Sequence, residues 1–248
     1  HCRGTGTVSS GRAQPSALDL WVVDAELRDG ATLRWARDHG DEAVVVLSGE
    51  VDAEGERCSP GAAIVIEAGA PVTLVSRTGA TIVHFGGPAR GAHRSGSATG
   101  SRGCGVHIVG PGPAWGSVVP RPHGAIFAGC YADSTCPTCR LTLLRVVGDG
   151  TIRGSSHSHS QSELIRVLDG ELRFGRHTVS AGMTAAIPAD RHHAFHTSKP
   201  FLFLNYRPGP STVSSPHHPA PLRESAEVMG WRDMGVRNHF VPAAREVA

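Results

Sequence analysis

No apolar run in this chain is long enough to cross a bilayer, and nothing at its head has the order of a secretory signal. A cytoplasmic protein is expected. The first residue is His1 rather than Met, so the true N-terminus is expected upstream. Long basic runs are missing too, and the formal net charge is only +2, so neither nucleic acid nor membrane is expected as a partner. Cysteine is sparse. Six in 248 residues do not make a disulfide scaffold, and a chain this long can bury a sufficient core without staples.

What the chain does have is glycine (31) and proline (17), which favour many short strands and turns. Short β-branched runs recur between Gly, Asp or Pro: Leu18–Ala25, Ala31–Trp35, Glu42–Leu47, Ala62–Ile66, Val72–Ser76 and Thr81–Phe85. This is the rhythm of a barrel or sandwich. Residues 88–105 are rich in Gly, Ser, Arg and Ala and read as a linker. The same texture resumes from Val106 to the run Phe201–Tyr206. The expected organisation is one β unit at 16–87, a linker at 88–105, a second unit at 106–210, and an extension at 211–248. A short helix is expected near Glu224–Met229.

The two units repeat. Glu42 and Glu163 each open a strand that ends in Gly-Glu, at Gly49-Glu50 and Gly170-Glu171. The offset is 121 residues in both cases, and Gly61 with Gly182 keeps it. His84-Phe85 falls on Asn205-Tyr206 in the same register.

Only the second copy carries metal chemistry. His157, His159, Glu163 and His193 supply three imidazoles and a carboxylate, a mixed set that suits a divalent transition metal with open positions. Residues two apart on a strand share a face, so His157 and His159 point the same way. Ile165 and Val167 share parity with Glu163 and are expected to line a substrate pocket beside it.

These residues resemble the two motifs of the cupins. The first stands as His157-x-His159-x-x-x-Glu163 followed by Gly170, with Gly150 ahead of it. The second stands as Gly182, Pro188, Asp190 and His193, with Asp190 where the family has glycine. Asp tolerates the left-handed backbone that such a turn needs. The resemblance is strong over Leu141–Pro208 and reaches Leu18–Gly87 through the repeat. It implies an all-β bicupin: two cupin-type antiparallel barrels in tandem with few short helices. It also implies a metal held by His157, His159, Glu163 and His193. In the first copy Ala36, Asp38 and Val72 occupy the histidine positions and only Glu42 remains; His39 is out of step. That copy is expected to have lost its metal.

The expected function is a metal-dependent enzyme on a small organic substrate, with a dioxygenase-like oxygenase as the first expectation. The alternatives are a non-oxidative isomerase, lyase or decarboxylase, or a non-catalytic binding protein. The ligand set accepts Fe, Mn, Ni, Cu, Co or Zn. A monomer or homodimer is expected. Asn205 and Tyr206, at the end of the last barrel strand, are candidate catalytic groups. Arg166 is expected to point away from the metal. Cys136-Pro-Thr-Cys139 has redox or half-zinc spacing without a second pair, and reads as a turn.

Overall fold

The computed structural model describes residues 2–13, 15, 18–87, 105–121 and 123–243. In chain order the first strands are β1 (Cys2–Ala13), β2 (Trp21–Trp35), β3 (Glu42–Ala53), β4 (Glu56–Cys58), β5 (Ala63–Ile66), β6 (Thr73–Gly86) and β7 (Gly105–Val109). Then come β8 (Trp115–Arg121), β9 (Gly124–Asp133), β10 (Thr142–Gly148), β11 (Ile152–Arg153), β12 (Ser158–His159), β13 (Glu163–Asp169), β14 (Glu171–Phe174), β15 (His177–Ser180) and β16 (Thr184–Ile187). The last are β17 (His196–Thr197), β18 (Phe201–Arg207), β19 (Thr212–Ser215), β20 (His218–Arg223), β21 (Arg232–Asp233) and β22 (Asn238–Pro242).

One sheet runs β1-β2-β6-β3-β5-β7-β22, with β4 folded onto β3; a second runs β16-β13-β18-β10-β9-β8-β21. Two smaller sheets, β11-β17-β14-β15 and β12-β19-β20, complete the second half. All of these pairings are antiparallel. The sheets stay open at their edges, so the halves are jelly rolls rather than fully hydrogen-bonded barrels. No helix occurs among the described residues. The helix expected near Glu224–Met229 is a turn, closed by Met229 N–H on Ser225 O and Trp231 N–H on Ala226 O, both 2.9 Å. Accordingly, no helix is long and apolar enough to cross a membrane.

Why β3 is apolar almost without alternation follows from where its two faces go. Val44 and Val46 join the core inside the first half, while Ala43 and Val45 join a core between the halves. A strand covered on both sides needs no polar face. β13 does the same: Ile165 and Val167 face the interior of the second half, and Leu164 faces the shared core. The core between the halves also contains Phe85, Leu143, Leu204 and Tyr206.

The repeat is carried into the hydrogen-bond register. Ala43 pairs with Phe85 and Leu164 with Tyr206; Glu42 pairs with Ile66 and Glu163 with Ile187. Each pair of equivalents keeps the 121-residue offset. Gly49 and Gly170 close the equivalent turns at φ 70° and 72°. A Cβ would lie 1.8 Å from Gly79 O at the first and 2.2 Å from Pro200 O at the second, so only glycine fits.

Strand pairings cross the boundaries expected between the units. Gly105–Val109 pairs with β5 in the first sheet, and Asn238–Pro242 from the far end of the chain pairs with it in turn. The rest of the expected linker, 88–104, lies outside the described residues. The extension folds back, with β19 and β20 beside β12 and β21 beside β8.

Candidate metal centre

His157 and His193, far apart in sequence, sit on one antiparallel bridge. Each backbone N–H donates to the other's carbonyl, at 3.0 and 2.8 Å, which sets their rings side by side with centroids 4.5 Å apart. His159 follows on β12, and β13 opens with Glu163. The three imidazoles bring ligand nitrogens within 4.8 Å of one another. Glu163, almost fully buried, places Oε1 3.0 Å from His193 Nε2 and Oε2 3.8 Å from His159 Nε2.

The rings are held by their outer nitrogens. His157 Nδ1 meets Ser155 O at 2.8 Å, His193 Nδ1 meets Arg191 O at 3.0 Å, and His159 Nδ1 meets the Glu224 carboxylate at 2.9 Å. Each partner is an acceptor, so Nδ1 carries the hydrogen and donates. The Nε2 lone pairs are left to face the interior. Glu163 Oε1 accepts no aligned hydrogen bond although it is buried. Three converging Nε2 atoms and a carboxylate oxygen without a donor fit a divalent transition ion.

A cation belongs to the chain itself here. Arg207, 2 % exposed, donates from Nε to Glu163 Oε2 at 3.3 Å and from one terminal nitrogen to Glu224 Oε2 at 3.0 Å. Its other terminal nitrogen lies 3.1 Å from His159 Nε2. Asn205 Nδ2 donates to the same Glu163 oxygen at 2.7 Å.

Burial pushes the Glu163 carboxyl upward, but the Arg207 charge and the His193 and His159 rings outweigh it and hold the group well below its usual range. Glu224 is held at about 2, with burial opposed by Arg207 and the hydrogen bond from His159. Burial lowers His157. For His193 burial also works downward, but the Glu163 carboxylate prevails and raises it.

These groups end in a cavity of about 360 Å³. Its walls are mostly apolar, with Ile165, Phe195, Phe203 and Trp231 among them.

The structure gathers His157, His159, Glu163 and His193. Ile165 lines the cavity; Val167 is buried in the core behind it and does not. Asn205 reaches the cavity. Tyr206 does not: it is fully buried in the core between the halves, and its hydroxyl donates to Asp41 O at 3.1 Å. Alternation along β18 turns neighbours to opposite faces. Arg166 points to the first half and pairs with Asp24.

Two site residues escaped sequence reasoning. Arg207 shares the parity of Asn205, and that was its signal. Glu224 arrives from the extension, 65 residues beyond His159, and has no local signal.

The equivalent place in the first half is closed. Glu42 accepts from Trp35 Nε1 at 2.6 Å and pairs with His84 Nε2 at 2.7 Å. Both ring nitrogens of His39 are taken by carbonyl oxygens, Gly40 at 2.6 Å and Ala70 at 2.9 Å. Among the described residues no metal-ligand cluster forms around Glu42.

Comparison with known proteins agrees with this layout. Residues 143–207 match the family described as Cupin domain. Among solved structures, oxalate decarboxylase from Bacillus subtilis, studied for its Mn(II) centres, is similar at TM-score 0.58 and 14 % identity. That match covers 81 % of this chain and 72 % of the other. A Pseudomonas aeruginosa protein described as glyoxylate-induced matches at TM-score 0.59 and 15 % identity, covering 76 % and 74 %. No curated protein matches the chain. At this identity the likeness is one of fold. Residues 143–207 thus form a cupin domain, and the chain as a whole shares the fold of these solved structures.

Proposed function

We propose that this chain is a two-cupin metalloenzyme whose second cupin binds a divalent transition metal through His157, His159, Glu163 and His193 and acts on a small organic acid. The observation that carries the reading is the set of three Nδ1 atoms, each fixed by an acceptor, which aims three Nε2 atoms inward beside a buried Glu163 oxygen that accepts no aligned hydrogen bond. When bound, such an ion supplies Lewis-acid polarisation of a coordinated oxygen.

Charge supports the substrate class. Glu163 and Glu224 contribute two negative charges and Arg207 and Arg121 two positive, so a divalent ion leaves the cavity lining with a net charge of two positive. An organic acid with one or two carboxylates offsets that charge in a cavity whose walls disfavour unpaired charge. Arg121, on the cavity wall, is suited to meet a carboxylate, because the donors of Arg207 are already engaged by Glu163, Glu224 and His159. Glu224 orients His159, and Asn205 orients Glu163. Phe195, Phe203 and Trp231 limit water around the substrate body.

Non-oxidative carbon–carbon cleavage, of the kind named for the Bacillus subtilis neighbour, accords with a carboxylate held beside Arg121. The oxygenase reading has its own support in the apolar walls and the open positions of the ligand set. The two separate on one experiment. Metal-loaded protein is incubated with a panel of small mono- and dicarboxylic acids, with and without dioxygen, while carbon dioxide release and oxygen uptake are followed. Turnover without dioxygen supports the lyase; stoichiometric oxygen uptake supports the oxygenase. Protein that retains no metal after dialysis sinks both.

A further inference from the structure

A second cluster of ligand atoms lies away from the cavity, where the first sheet meets the second half. Cys136 and Cys139, read from sequence as a simple turn, meet His107 of β7, and one ligand atom from each lies within 4.8 Å of the others. Glu67, directly after β5, joins them. Its Oε1 is 2.7 Å from His107 Nε2. The pairing of Val65 with His107 across β5 and β7 sets these two residues side by side.

Three further observations point to a ligand. Glu67 is 2 % exposed, yet its Oε2 has no hydrogen-bond partner. A buried carboxylate oxygen left unsatisfied is costly. Second, His107 Nε2 and Cys136 Sγ stand 3.6 Å apart. Usual zinc–nitrogen and zinc–sulfur bond lengths with a tetrahedral angle give an N···S edge of about 3.6 Å. Third, the backbone N–H of Cys139 already points at Cys136 Sγ, at 3.4 Å, a contact that favours thiolate there.

We propose that Cys136, Cys139, His107 and Glu67 form a closed zinc site that ties the loop between β9 and β10 to the first sheet. Four protein ligands of mixed sulfur, nitrogen and oxygen suit a structural zinc, and two thiolates from one Cys-x-x-Cys turn select it over oxygen-preferring ions. The zinc replaces the two thiol protons, which go to solvent, while the His107 ring keeps its one hydrogen on Nδ1 so that Nε2 can ligate. The pinned loop begins beside Asp133, which accepts the backbone N–H of Ala226 at 2.9 Å, two residues past Glu224. The site therefore braces the segment that orients His159.

The test uses the full chain, reduced, stripped of metal, and carrying His157→Ala and His193→Ala so that the first centre is disabled. Added cobalt(II) should bind at one equivalent with a thiolate-to-cobalt charge-transfer band, and zinc should abolish that band by displacement. Adding Cys136→Ser and Cys139→Ser should remove it. Glu67→Gln should weaken zinc binding by at least the roughly 10–100-fold typical of losing an outer-shell partner. Unmutated protein gives an independent reading: zinc should slow alkylation of Cys136 and Cys139, mapped by peptide mass, and a chelator should restore it. Absence of a thiolate–cobalt band, its survival without both cysteines, or a Cys136–Cys139 disulfide in protein purified without oxidant overturns the proposal.

Discussion

Phe85 and Tyr206 stack face to face in the core between the halves, with ring centroids 5.4 Å apart and planes within 9°. They are repeat equivalents, 121 residues apart. Equivalent residues touch each other where a two-fold relation carries one copy onto the other. The contact also fixes what Tyr206 does, because a ring committed to that core cannot reach the cavity.

Replacing Tyr206 with Phe removes the hydroxyl's hydrogen bond to Asp41 O at 3.1 Å, on the side of the strand away from the cavity. The expected cost is about 1 kcal/mol of stability, measured by urea unfolding, with metal affinity unchanged. Asn205→Ala, one residue earlier, should instead weaken metal binding because it removes the shorter of two hydrogen bonds that orient Glu163 Oε2. Equal effects on metal affinity from both variants would count against the assignment of faces.

Arg207 bridges Glu163 and Glu224. Arg207→Met leaves two buried carboxylates without their cation, and a loss of about 3–5 kcal/mol is expected in metal-free protein. A bound divalent ion compensates part of that charge, so the loss should be smaller after metal loading. Denaturant titrations with and without metal give the comparison.

Metal binding should depend on pH through His193. Its pKa is raised above the ordinary 6.5 while the site is metal-free, so protons compete with the ion for Nε2. Affinity should fall as pH drops through that raised value, with proton release on binding near neutrality. Calorimetry in buffers of different ionisation enthalpy measures the released proton. His157, lowered by burial, is already neutral in the same range and should add little to this pH dependence.

Acid stability should follow Glu224. Its folded pKa of about 2 lies below the ordinary 4.5, so its contribution is fully present above pH 4.5 and is lost as pH falls toward 2. Glu163, also lowered, acts in the same direction. In metal-free protein, Glu224→Gln should flatten the decline of stability across that window. An unchanged acid profile would show that Glu224 is not paired as described.

Gly170→Ala forces a Cβ to within 2.2 Å of a carbonyl oxygen at φ 72°. A loss above about 2 kcal/mol is expected. Gly175→Ala, also left-handed but with nothing within 4 Å, should cost only about 1 kcal/mol. Thermal melts of the two variants test the difference.

Much of the fold and of the candidate centre was legible in the residues. Strand rhythm, left-handed glycines and a 121-residue repeat are local or periodic signals, and the backbone has few ways to satisfy them. His157, His159, Glu163 and His193 stand in a motif whose spacing is set by strand and turn lengths. Asp190 takes the left-handed turn position at φ 59°, as its residue type allows.

Alternation alone should have separated Tyr206 from Asn205 and added Arg207, since residues 205 and 207 share a face. Which face looks inward depends on what covers each side, and both sides of β18 are covered. Only the tertiary structure decided that. It also decided that Gly105–Val109 completes the first sheet, that Glu224 returns from the extension to hold His159, and that His107 and Glu67 stand opposite the Cys136–Cys139 turn. Each is a contact between segments distant in sequence, fixed by which strand edges and cavities remain to be filled once the local elements have formed.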